Sequence, residues 1–208
     1  MQELLSLALK ENHLDVGQDA QQKLLQYLHL LKEWNQVFNL TTIIKPRDMV
    51  YLHIIDSLIV QPFIHGKRLL DVGSGAGLPG IPLAIVNPEL EWVLLDKSNK
   101  KTRFLTQVIA ELSLRNATAI HSRCEQFHPE ARFDSILSRA FGTISMFVTT
   151  TEHLLCPDGN WIAMKGKFPQ DEVNNLPDRF VVEQSRRLEI IGMTVERHIV
   201  CLRKKIAR

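Results

Sequence analysis

The chain has 208 residues, of which 45% are hydrophobic and 23% charged. That length and balance support one globular domain with a full core and exclude collagen-like, low-complexity and coiled-coil classes. The formal charge of +2 hides a split: residues 1–96 carry seven Lys/Arg against eleven Asp/Glu (−4), and residues 97–208 carry eighteen against twelve (+6).

No apolar run approaches the ~18 residues of a membrane span, and Met1-Gln2-Glu3 lacks the basic start of a signal peptide. Cys124, Cys156 and Cys201 are far apart with no C-x-x-C pair, and the eight histidines are scattered. The expectation is a reduced, cytoplasmic protein without a metal. The basic second half suggests a polyanion facing one side of the molecule, although a mixed solvated surface would give the same count.

In chain order, residues 1–60 read as helical. Leu24, Tyr27, Leu28, Leu31, Trp34 and Phe38 follow the three-and-four spacing of one helix face, with Asp19 as an N-cap. Pro46 interrupts, Asp48 can cap a new helix, and Val50, Ile54, Ile55 and Leu58 give it an apolar face before Pro62. From Lys67 the pattern changes to short apolar runs separated by amphipathic stretches. The strand candidates are Arg68–Val72, Glu91–Leu95, Thr118–His121, Ser135–Leu137, Asn160–Met164, Phe180–Glu183 and His198–Leu202. This alternation predicts βαβ units and a mostly parallel sheet covered on both faces. The shorter link through Gly192 predicts an antiparallel edge hairpin. The resulting expectation is a Rossmann-like α/β domain over 63–208 with an N-terminal helical extension over 1–62.

The strongest chemical signal is Leu69-Leu70-Asp71-Val72-Gly73-Ser74-Gly75-Ala76-Gly77-Leu78-Pro79-Gly80, a buried strand running into a glycine-rich turn that opens a helix. Gly75 to Gly80 satisfies the G-x-G-x-x-G dinucleotide fingerprint. With the strand ending at Val72, however, the turn glycines are Gly73, Gly75 and Gly77, and the third fingerprint position is Leu78. The register then favours the D-x-G-x-G-x-G turn of class I S-adenosylmethionine-dependent methyltransferases over an NAD site. Asp96, 25 residues after Asp71, ends the next strand and can accept both ribose hydroxyls. Glu125, 29 residues further on, follows the third strand and can meet the adenine edge. Open parallel sheets bind ligands at these carboxyl ends.

After strand four the chain reads Ser138-Arg139-Ala140-Phe141, with neither a Pro-Pro-Tyr-type motif for exocyclic amines nor a nucleophilic cysteine. The methyl acceptor is then an atom that is already nucleophilic, such as an aromatic ring nitrogen. Arg139 could orient a phosphate, a base or the cofactor carboxylate, and Lys165 ends strand five. Lys97, Lys100 and Lys101 crowd the segment after Asp96, and Arg123 and Arg197 add to the basic side. His53 and Asp56 share a helix face and read as a packing pair rather than a catalytic dyad.

Together these residues resemble the glucose-inhibited division protein B (RsmG) family of bacterial 16S rRNA guanine-N7 methyltransferases. The likeness spans essentially the whole chain. It rests on Trp34-Asn35-x-x-x-Asn39-Leu40-Thr41, His53-x-x-Asp56-Ser57-Leu58, the Asp71–Gly80 turn, Ser138-Arg139-Ala140 and Lys165-Gly166. The resemblance implies S-adenosylmethionine held around Gly73, Leu78, Cys124-Glu125 and Arg139. It implies a guanine in the helix 18 loop of 16S rRNA, in the 30S subunit, as substrate; a monomer without metal or membrane is the accompanying expectation. Two other classes share the cofactor fold: a non-catalytic rRNA-binding assembly factor and an NAD-linked oxidoreductase.

Overall fold

The computed structural model describes residues 1–205, so the last three residues of the expected 63–208 unit lie outside the described residues. Helices α1 (Gln2–Glu11) and α2 (Gln18–Phe38) pack on each other. α2 buries Leu24, Tyr27, Leu28 and Leu31, the stripe that its spacing predicts. Its N-cap is Gly17, not Asp19; Asp19 sits in the first turn, where its carboxylate faces the positive helix end. Asn39 closes α2 in the left-handed region at φ 48°.

The next helical run also starts earlier than expected. Pro46, whose fixed φ suits a first helical position, begins α3 (Pro46–Met49) with Lys45 as N-cap, which leaves Asp48 inside the first turn. A π-helical stretch, Val50–Ile55, leads into α4 (Asp56–Leu58).

Seven strands follow: β1 (Arg68–Val72), β2 (Glu91–Asp96), β3 (Ala117–His121), β4 (Phe133–Arg139), β5 (Leu155–Lys165), β6 (Phe180–Leu188) and β7 (Arg197–Lys204). They form one sheet in the order β3-β2-β1-β4-β5-β7-β6. β1 to β5 pair in parallel, and β7 runs antiparallel between β5 and β6. The order reverses between β1 and β4, the place where an open α/β sheet leaves a crevice. Helices α5 (Gly80–Val86), α6 (Asn99–Glu111), α7 (Ile144–Thr151) and α8 (Gln170–Asn174) complete the chain.

Side chains alternate across the strands and divide the core in two. Leu69, Leu94, Leu137 and Ile162 face a cluster that also holds Phe104 of α6 and Leu24, Leu28 and Leu31 of α2. Leu70, Val93, Ile136 and Trp161 face the other cluster, with Ile144, Phe147 and Val148 of α7. The N-terminal helices are therefore continuous with one face of the sheet core. Among the described residues, no helix is long and apolar enough to cross a membrane.

Candidate functional site

The crevice between β1 and β4 opens into a cavity of about 370 Å³ at the carboxyl ends of the strands. That volume lies within the range of small-molecule sites. Each wall comes from a different strand end. Val72 and Gly73 follow β1; Leu95, Asp96 and Lys97 end β2, with Lys101 from α6 beside them. Ser122, Arg123, Cys124 and Glu125 follow β3, and Ala140, Phe141 and Met146 follow β4.

The glycine turn takes its shape from the sheet. Gly73 and Gly75 stand at φ 70° and 60°, values that side chains with a Cβ rarely adopt. The N–H groups of Gly73 and Ser74 donate to the Leu95 carbonyl at 2.8 and 3.2 Å. Asp96, only 5% exposed, accepts from the Gly75 N–H at 2.9 Å and from the Ser98 N–H at 2.8 Å. Each carboxylate oxygen has further acceptor capacity, and Asp96 lines the cavity. Glu125 accepts a hydrogen bond from the Cys124 thiol at 3.3 Å. Its own backbone N–H and that thiol hold its carboxyl below the usual range, and burial followed by the Glu125 carboxylate pushes the thiol up. Cys124 is therefore a donor here rather than a nucleophile.

Asp71 does not reach the cavity. It is fully buried on the opposite side of β1 from Val72, and its Oδ2 accepts from the Gly80 N–H at 3.0 Å. A Cβ on Gly80 would come within 2.7 Å of that oxygen, so the glycine is what lets the carboxylate tie the start of α5 to β1. Oδ1 has no partner, and burial pushes the carboxyl up to about 7 against the pull of the Gly80 N–H. Gly77 and Leu78 are likewise placed in packing: a Cβ at Gly77 would stand 2.5 Å from Ile81, and Leu78 is 3% exposed.

Arg139 turns away from the cavity. Its guanidinium donates to Asp56 Oδ2 at 3.1 Å and to the Leu52 carbonyl at 3.0 Å. Arg197 meets Asp56 Oδ1 at 2.6 Å, so the buried Asp56 carboxylate is clamped by two arginines from β4 and β7. His53 and Asp56 do not pair with each other, contrary to the helical-face expectation. The wider π winding between them alters their spacing, and His53 instead meets Thr41 Oγ1 and the Leu52 carbonyl, both at 3.2 Å. Burial, aided by Arg139, lowers its pKa to about 4. Lys165 donates to the Gly142 carbonyl at 2.7 Å and to Glu172 at 2.8 Å, while Glu172 accepts from the Ile144 N–H at 2.6 Å. These contacts brace the turn after β4, where Ala140 holds a left-handed φ of 64° that places Phe141 on the cavity wall.

Of the basic residues singled out in the sequence, Lys97, Lys101 and Arg123 line the cavity. Lys100 is exposed on α6, and Arg197 and Lys165 are held in ion pairs. Sequence reasoning missed Met146, Ser122 and Glu172. Ser122 could have been found, because it immediately follows the third strand candidate. Among the described residues there is no cluster of three or more His, Cys, Asp or Glu that could hold a metal.

The rRNA small subunit methyltransferase G (GidB) family model matches residues 20–200. The chain is 47% identical over 205 residues to the ribosomal RNA small subunit methyltransferase G of Pseudomonas putida (strain GB-1), covering 98% of this chain and 95% of that one. It is 40% identical to the protein of the same name from Idiomarina loihiensis, covering 99% and 100%. Among solved structures, the glycopeptide N-methyltransferase MtfA superposes with a TM-score of 0.62 at 12% identity, over 73% of this chain and 95% of that one. Coclaurine N-methyltransferase, bound to N-methylheliamine and SAH, gives 0.61 at 10% identity, over 97% and 93%. At those identities the likeness is one of fold.

Proposed function

The chain belongs to the rRNA small subunit methyltransferase G family, and from that premise we propose that it methylates N7 of a guanine in the helix 18 loop of 16S rRNA, as a monomer acting on 30S subunits in the cytoplasm. The reaction is S-adenosylmethionine-dependent methylation of ribosomal RNA. One observation carries the reading of the site: two carboxylates, Asp96 at the end of β2 and Glu125 just after β3, line one cavity together with the glycine turn that follows β1.

The residues present fit the cofactor. Asp96 has free acceptor capacity for the ribose hydroxyls, and Glu125 with the Cys124 backbone faces the place an adenine would take. Residues 1–62 are read as an extension carried on the methyltransferase unit. When bound, S-adenosylmethionine would supply an electrophilic sulfonium methyl for N7. Guanine N7 carries no proton, so the protein has none to remove. The residues lining the cavity include no histidine or tyrosine that could act as a base. The work of the chain is then orientation: Phe141 offers a face for a looped-out base, and Lys97, Lys101 and Arg123 meet phosphates at the rim.

Mass mapping of 16S rRNA from cells with and without the gene tests the target. Loss of a single methyl group in the helix 18 loop is expected, and loss at another nucleotide would overturn it. Labelled S-adenosylmethionine given with 30S subunits or with naked 16S rRNA tests the substrate: transfer is expected with the subunits.

A further inference from the structure

Tyr27 sits midway along α2, in the helical extension rather than in the sheet, yet it reaches the cofactor turn. Its side chain is fully buried, its ring packs at 6.5 Å from that of Phe104 on α6, and its hydroxyl donates to the Ala76 carbonyl at 2.7 Å. Ala76 lies between Gly75 and Gly77, both at positive φ. The other holds on this turn come from β1, β2 or the turn itself: Ser74 Oγ and the Gly80 N–H to Asp71, Gly73 and Ser74 to Leu95, Gly75 to Asp96, and Gly77 to Ser74. Tyr27 thus supplies a hold from outside the strands, one peptide removed from the peptide that Asp96 binds.

We propose that Tyr27 is a positioning residue for the cofactor: its hydroxyl fixes the Ala76 peptide, which keeps the Gly75 N–H on Asp96 Oδ2 and the Asp96 carboxylate aimed into the cavity. This rests on the reading of that cavity as the S-adenosylmethionine site. Burial holds the hydroxyl protonated, so it donates throughout the working pH range. Without it the Ala76 carbonyl is left buried with no donor. Gly77, which borders that peptide at positive φ, lets it rotate toward another partner. The loss therefore appears in the geometry of the turn before it appears as unfolding.

The test is Tyr27→Phe, which keeps the ring and deletes one oxygen. Calorimetry with S-adenosylmethionine and steady-state methylation of 30S subunits are expected to show cofactor Kd and KM raised about 5- to 30-fold. The kcat and the KM for the subunits stay within about twofold, because the hydroxyl touches neither the reacting atoms nor the RNA. Phe104→Leu serves as the control: it loosens the same packing without touching the hydroxyl and is expected to lower Tm with little change in cofactor KM. An equal rise in cofactor KM in both variants would make the effect one of packing and overturn the proposal. Wild-type cofactor affinity in Tyr27→Phe, with Asp96→Ala weakened, would overturn it while leaving the site in place. Wild-type affinity in Asp96→Ala as well would overturn both the site and the proposal.

Discussion

Two carboxylates separated by one strand spacing have opposite fates, and side-chain direction decides which. Asp96 ends β2 facing the cavity, whereas Asp71 lies one residue short of the end of β1 and faces the core beneath α5. For Asp96→Ala, losing charge-assisted hydrogen bonds of ~1.5–3 kcal/mol predicts S-adenosylmethionine binding weakened roughly 10- to 150-fold. Calorimetry finding unchanged affinity in a folded variant would remove Asp96 from the site. Asp71 predicts a stability effect instead. Its carboxyl is pushed up to about 7 by burial, so the folded protein holds a proton that the unfolded chain gives up near pH ~4. Its stabilising share is therefore full at low pH and lost as pH rises toward 7. Asp71→Asn keeps an acceptor for Gly80 and cannot ionise, so its Tm advantage over wild type should grow between pH ~5 and ~7 and then level off. A constant Tm difference over that range would show that Asp71 does not titrate there. At this scale Asp96 and Glu125 were legible because strand-end acids in an open sheet have few other places to face. Asp71, Arg139 and Arg197 were not, because a period-two strand or a long arginine can place its charge on either side. Tyr27 was legible only as core, since periodicity assigns a ring to a face and says nothing of where its hydroxyl points.

The elements were legible from periodicity, and their ends were not. Each of the seven strand candidates falls within an observed strand, but β6 runs on to Leu188 through exposed Glu183–Arg187. An edge strand needs no apolar run to pair, only backbone, so its polar half left no signal. Both expected caps were displaced, because Gly17 and Lys45 turn the chain without side-chain hydrogen bonds. α6 carries one lysine at the cavity and one in solvent. Lys101 stands 3.9 Å from Asp96 Oδ2 and lines the cavity, while Lys100 points to solvent on the same helix. Lys100→Glu should therefore weaken binding of 30S subunits and reduce the salt slope by about one, with cofactor affinity intact. Lys101→Glu should weaken both. Binding measured against salt concentration checks this: an unchanged slope in Lys100→Glu would place the RNA on another face.

At the scale of the whole molecule, the shifted titratable groups predict a chemical step with little pH dependence near neutrality. The titratable residues lining the cavity are Asp96, Glu125, Lys97, Lys101, Arg123 and Cys124. The carboxyl of Glu125 is held low and the thiol of Cys124 is held high, so neither changes charge near neutrality. His53 has its pKa lowered to about 4 by burial and is neutral throughout that range, held by Thr41 and Leu52. Burial pushes the Asp71 carboxyl up to about 7, but it lies on the far side of β1, where it holds the start of α5 and does not meet the cavity. Single-turnover methylation of 30S subunits at saturating cofactor should then vary little between pH ~6.5 and ~8.5, since a nitrogen with a free lone pair needs no base. His53→Ala should lower Tm, because it empties a buried position, and leave the saturated rate within about threefold. A rate that climbs about tenfold per pH unit, with the climb abolished in His53→Ala, would establish a general base. The methyl acceptor would then be a group that must lose a proton, not guanine N7.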